Sequence, residues 1–264
     1  MRKVGILLSG RGSNMMALVE QARGYTVALV ASDKPDAAGL AWAREHGLAT
    51  FALSPKGIGK AAYEDALDAA LRDAGVEVIA LAGYMRLLSD AFVARWRGRI
   101  VNIHPSLLPL YKGLDTHARA IAAGDGHGGC SVHLVTEELD GGTVLGQARV
   151  AVQPGDTADT LAARVLVAEH ALYPRILAEF VMTPLDHVRA VALQLPEAEE
   201  RADGFFVAGE RFAAVEGDVL RVRDDDGWAD VALGGEVDWP AVEDRVARGW
   251  ELVAPAGLLE AGGR

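Results

Sequence analysis

The sequence predicts an α/β fold built on a mostly parallel sheet, followed by a small α+β domain. Three observations carry that prediction. Short apolar runs with the character of buried strands alternate with amphipathic helical stretches between residues 3 and 181. Glycines stand at the ends of several of these stretches, where helices stop and strands turn. The composition then changes near Thr183-Pro184: residues 185–264 hold 18 Asp or Glu against 8 Arg and no Lys, so nearly all of the net charge of −11 lies there. A boundary at that point divides the chain into a domain of residues 1–184 and a domain of residues 185–264.

The elements follow in order. KVGILLS (3–9) is a first buried strand, too short and too soon broken by Gly and polar residues to be a signal peptide. SGRGSN (9–14) turns the chain into a helix, SNMMALVEQAR. Strands at 26–32 and 48–53 flank a helix at 36–47, and a longer helix at 60–75 stops at Gly75. Buried strands follow at 76–83 and 98–104. The stretches 131–136 and 143–152 alternate around EELDGG and predict a hairpin-like excursion. Residues 157–181 predict a long helix with Thr157 as its N-cap, which Pro174 should kink or divide. Beyond Pro184 the pattern predicts a helix at 185–195, short antiparallel strands at 204–223, and a helix entered at Asp238 with Pro240 in its first turn. Trp228, Trp239 and Trp250 read as the core of this second domain, and the aspartates 224–226 as a solvated turn.

Composition excludes some functions. Neither part of the chain is basic, which argues against a nucleic-acid backbone as partner. No apolar run approaches the roughly 20 residues a membrane helix needs. The single cysteine, Cys130, rules out an internal disulfide, fits the reducing cytoplasm and reads as a packed thiol. His117, His127 and His133 match no common metal spacing, so no metal is expected; His133, sharing a strand face with Ser131, reads as a satisfied wall residue.

Two stretches suggest chemistry. In SGRGSN the glycines fit neither a dinucleotide fingerprint nor a Walker loop. Either the helix start receives a single phosphate or the glycines serve only a tight strand-to-helix turn. In VNIHPSLLP, Asn102 and His104 lie two apart on a strand and therefore share a face. Pro105 ends the strand there, so the pair stands at a carboxyl end, where open α/β sheets bind ligands. Either Asn supplies a donor for an oxyanion and His a proton near neutral pH, or the pair is a core histidine satisfied by an asparagine. Asp140, on a Gly-flanked turn, is either the carboxylate that orients that histidine or a plain turn-former.

SGRGSN, LAGYMRLLS, NIHPSLLP, SVHLVTEELDGG and AEHALYP occur in that order, and with them residues 1–184 resemble the folate-dependent phosphoribosylglycinamide formyltransferases. The resemblance implies a Rossmann-like formyltransferase fold. It implies transfer of a formyl group from 10-formyltetrahydrofolate, as co-substrate, to 5'-phosphoribosylglycinamide (GAR) in purine synthesis. The implied catalytic set is Asn102, His104 and Asp140. Gly12, Ser13 and Asn14 match the loop that holds the GAR phosphate, and Glu169 the carboxylate at its glycinamide end. Lys60, Met85, Arg86, Leu87, Leu88 and Asn102 match the folate site, with the loop 137–142 closing over the pterin. Two positions depart from the family's pattern: Lys60 stands in place of an Arg, keeping the charge without the bidentate fork, and Asp115 in place of a His, while His117 is retained. The expected partners are these small molecules, with a homodimer left open and neither nucleic acid nor membrane involved.

The tail resembles, more weakly, the YjbR/MmcQ-like small domains in a shortened form. That group is linked to DNA binding, which the acidic charge here opposes; packing or self-association is the simpler role. The nearest rival for the first domain is formyltetrahydrofolate deformylase, a hydrolase with the same Asn-His-Asp set. The missing N-terminal regulatory region, the phosphate loop and Glu169 favour the transferase.

Overall fold

In the computed structural model, which describes residues 1–234 and 237–261, the chain divides into two units, Met1–Val181 and a second beginning at Met182. The last three residues of the expected second domain, 262–264, lie outside the described residues.

The first unit runs β1 (Arg2–Leu8), α1 (Ser13–Glu20), β2 (Tyr25–Ser32), α2 (Ala38–Glu45), β3 (Thr50–Ala52), α3 (Lys60–Asp73), β4 (Val78–Leu81), α4 (Asp90–Arg95), β5 (Ile100–His104), α5 (Thr116–Ala122), β6 (His127–Leu134), β7 (Val144–Ala151) and α6 (Ala158–Val181). The strands form one sheet in the order β3-β2-β1-β4-β5-β6-β7. Its first five members pair in parallel, and β6 and β7 are antiparallel additions. Side chains alternate between two apolar layers. Val4, Ile6, Leu8, Val101 and Ile103 pack with Leu18, Leu40 and Leu172, so α1, α2 and α6 cover one face. Leu7, Ile79, Leu81 and Ile100 pack with Leu67, Phe92 and Trp96, so α3 and α4 cover the other. Asn102 and His104 share the parity of Ile100 and point to the α3/α4 side.

Three local expectations are corrected and one is met. Pro174 does not divide α6, which runs unbroken over 24 residues. Proline denies the carbonyl of His170 its helical donor, and the side-chain amide of Gln21, the C-cap of α1, donates to that oxygen at 3.1 Å. Strand β6 begins at His127 rather than 131, taking in Gly128 and Gly129. Glycine belongs there because a Cβ on Gly129 would lie 2.1 Å from the carbonyl oxygen of Ala148 on β7. Helices α4 and α5, six and seven residues long, were not foreseen, since less than two turns leave little periodicity to read. Thr157 does cap α6, accepting from the Thr160 N–H at 3.2 Å.

The second unit holds α7 (Pro184–Ala192), β8 (Glu199–Arg201), β9 (Gly204–Val207), β10 (Glu210–Glu216), β11 (Val219–Asp224), β12 (Gly227–Ala232), α8 (Trp239–Glu251) and α9 (Ala256–Ala261). Its antiparallel sheet runs β12-β11-β10-β9-β8 around Phe205, Phe212, Val222, Val246 and Trp250. Thr183 opens α7 with a capping box, its hydroxyl accepting from the Asp186 N–H. Trp228 departs from the core role expected of it. It is 38% exposed and lies under the guanidinium groups of Arg211 and Arg223.

Candidate active site

Strand β5 delivers Asn102 and His104 to its carboxyl end, and Ser106 and Leu107 then leave the sheet. Ser131 of β6 secures that exit: its hydroxyl donates to the Ser106 carbonyl and accepts from the Leu108 N–H. The antiparallel register sets His133 of β6 directly opposite Asn102. Asp140 reaches the same point from the 135–143 turn, where its own backbone is left-handed (φ 48°).

These four side chains form one cluster. His104 Nδ1 lies 3.4 Å from Asp140 Oδ2, both side chains less than a tenth exposed. His104 Nε2 is 3.0 Å from the Tyr111 carbonyl oxygen. A carbonyl only accepts, so Nε2 carries a proton and Nδ1 is the nitrogen turned to the carboxylate. The Gly113 N–H donates to Asp140 Oδ2 at 2.9 Å. His133 donates from Nδ1 to the Leu134 carbonyl (2.8 Å), which leaves Nε2 to accept from the Asn102 amide at 3.2 Å. Burial holds His133 below the ordinary imidazole value, outweighing Asp140, whose other oxygen is 3.6 Å away. A neutral His133 therefore fixes the Asn102 amide and leaves its second N–H free to donate. By its pattern alone His133 reads as a wall residue; its part in the site follows from the β5–β6 register.

The cluster floors a cleft of about 870 Å³. Lys60, Met85, Arg86, Leu87 and Leu88 line it, as do Asn102, His104 and the 136–140 turn. The loop after β4 is pinned at both ends. The Met85 N–H donates to Ser9 Oγ, which donates to buried Asp33. The Ser89 N–H and hydroxyl both donate to buried Glu64. Lys60 stays 46% exposed at the cleft wall, 4.0 Å from Glu64. Asp115 sits in a left-handed conformation at the start of α5 and also lines the cleft, beside His117, whose pKa burial pushes down.

Gly12, Ser13, Asn14 and Glu169 do not line that cleft. They form a second group where α1 meets α6. Asn14 Nδ2 donates to Glu169 Oε2 at 2.7 Å, while the buried Asn14 Oδ1 has no partner. Burial pushes the Glu169 carboxyl up, with the Asn14 hydrogen bond opposing it. One turn further along α6, the Tyr173 hydroxyl reaches the carbonyls of Leu81 and Val101, tying this group to the end of β4 and the start of β5. Gly12 (φ 81°) is needed by the turn itself, since its Cβ would lie 2.9 Å from the Cα of Gly39. Cys130 is fully buried and its thiol is pushed up to about 12 by that burial, so it is inert. Among the described residues, no group of three His, Cys, Asp or Glu could hold a metal ion, and no helix is long and apolar enough to cross a membrane.

This arrangement has counterparts of known family. The formyl transferase family model matches residues 2–177. The chain belongs to that family. It is 46% identical over 180 residues to the phosphoribosylglycinamide formyltransferase of Escherichia coli K12, covering 66% of this chain and 85% of that protein. It is 43% identical to part of the trifunctional purine biosynthetic protein adenosine-3 of Drosophila melanogaster, covering 68% of this chain but only 14% of that longer one. The crystal structure of phosphoribosylglycinamide formyltransferase from Brucella melitensis superposes with a TM-score of 0.66 at 53% identity, over 69% of this chain and 96% of that one. The family match of this formyl transferase ends inside α6, before the second unit begins.

Proposed function

We propose that this formyl transferase moves the formyl group of 10-formyltetrahydrofolate onto the amine of GAR, in the cytoplasm, as a step of purine biosynthesis. The observation that carries the reading is the Asn102–His104–Asp140 cluster at the floor of a cleft roomy enough for a folate. The GAR amine attacks the formyl carbon, and negative charge grows on the formyl oxygen. The free N–H of Asn102 and the His104 ring stabilise that charge; one such donor is typically worth about 3–4 kcal/mol of barrier. The new C–N bond forms, the bond from the formyl carbon to folate N10 breaks, and the proton lost by the amine ends on N10. Asp140 holds the His104 ring in place during transfer, its Oδ2 3.4 Å from Nδ1.

The apolar side chains of Met85, Leu87 and Leu88 suit the flat folate ring, and Lys60 offers a cation to a carboxylate at the cleft wall. Glu169 and the free Asn14 oxygen are two acceptors that suit the N–H groups of a glycinamide. The turn at Gly12, Ser13 and Asn14, opening α1, suits the phosphate. The test is to follow 10-formyl-5,8-dideazafolate absorbance with and without GAR at neutral pH. Release of deformylated folate only when GAR is present supports the transfer. Release without GAR would make the chain a deformylase instead.

A further inference from the structure

Arg119, on α5, is exposed and lies outside the cleft wall. Its Nη1 donates to the Lys112 carbonyl at 2.7 Å and approaches the Leu114 carbonyl at 3.3 Å. Its guanidinium also covers the Tyr111 ring at 5.2 Å. These contacts converge on a segment that holds both titratable partners of the cluster. The Tyr111 carbonyl accepts from His104 Nε2, and the Gly113 N–H donates to the Asp140 oxygen that faces His104 Nδ1. The segment has no regular structure to keep it in place, and its backbone is left-handed at Tyr111 (φ 55°), Gly113 (φ 81°) and Asp115 (φ 58°). For Tyr and Asp that conformation is disfavoured, so it persists only where the surroundings impose it.

One peptide unit carries the connection. A trans peptide is planar, and its C=O and N–H point in opposite directions. The Lys112–Gly113 peptide therefore has Arg119 on its oxygen and Asp140 on its hydrogen. The cation fixes the plane, and by polarising the carbonyl it strengthens the N–H as a donor. We propose that Arg119 is a positioning residue for Asp140 and His104, acting through this peptide without touching substrate. The inference rests on the formyl-transfer reading of the cluster.

The test compares Arg119→Ala and Arg119→Lys with the parent enzyme in GAR-dependent transfer, thermal melting and nitrogen-15 NMR of the histidine rings. Arg119→Ala is expected to lower kcat between about tenfold and a hundredfold while both KM values stay within about twofold. Lysine, a single-point donor, restores part of the loss. In the spectra, His104 of the parent carries its proton on Nε2, and the alanine variant loses that fixed tautomer. A kcat within about twofold of the parent overturns the proposal, as does a loss in kcat matched by a rise in KM. Should the alanine variant fail to fold, Arg119→Lys decides: a several-fold lower kcat with parental melting supports the proposal, and an unchanged kcat overturns it. A parent with no GAR-dependent transfer would instead overturn the functional reading, and the NMR arm would still judge Arg119.

Discussion

The floor and the rim of the cleft are built on opposite terms. On the floor, His104 and His133 are 5% and 2% exposed, and each polar atom discussed above has a protein partner or a free N–H aimed outward. On the rim, Met85 and Leu114 are 71% and 78% exposed, with Leu87 and Leu139 also projecting into solvent. The floor comes from strand ends in fixed register, so its geometry exists before anything binds. The rim comes from loops, and its apolar surface stays wet until a ligand covers it. Chemistry is thus fixed by the sheet, and affinity is left to surface that gains from being covered.

That contrast predicts a graded set of outcomes. His104→Ala removes the proton-bearing ring and should lower kcat by about a thousandfold, with GAR binding retained in calorimetry. Asp140→Asn keeps an oxygen for the Gly113 N–H but loses the charge facing His104. Steady-state assays should show kcat lower by about a hundredfold and KM little changed. Leu87→Ala on the rim should do the reverse, raising the folate KM by about fivefold at nearly constant kcat. If it lowers kcat as much as a floor substitution does, the division between floor and rim is wrong.

The smallest effect concerns stability at the second group. Burial raises the folded pKa of Glu169 above its unfolded value, so the folded state binds the extra proton. The stability this contributes is complete below the ordinary carboxylate range and is lost as pH rises through the raised folded value. Glu169→Gln keeps the acceptor for Asn14 and cannot ionise. Its melting temperature should match the parent's in acid and exceed it by a few degrees once pH passes that raised value, as scanning calorimetry would show.

Much of this was legible in the sequence. The alternation of strands and helices announced the parallel sheet, and the spacing of Asn102 and His104 announced a shared face at a strand end. Asp140 could not be told from a turn residue, because its contact with His104 depends on how the 135–143 turn is thrown. His133 was placed on the right face but given no task, since pairing across strands is a property of register and not of local pattern. The strand predicted from 131 left out Gly128 and Gly129 because the reason for a glycine there, the backbone of β7, lies elsewhere in the chain. Trp228 read as core because hydrophobicity does not reveal which aromatic will be covered by arginines.

The continuity of α6 has a consequence for the order in which the chain takes shape. The donor that serves the His170 carbonyl, left without its helical partner by Pro174, comes from Gln21, 149 residues before His170. A detached peptide of residues 158–181 would lack it and would have only water to serve the orphaned carbonyl. On the ribosome, α1 emerges long before α6 and has its amide ready when the proline arrives. The middle of the long helix is thus completed by the beginning of the chain, and α1 can meet α6 only once the last element of the first unit has been made.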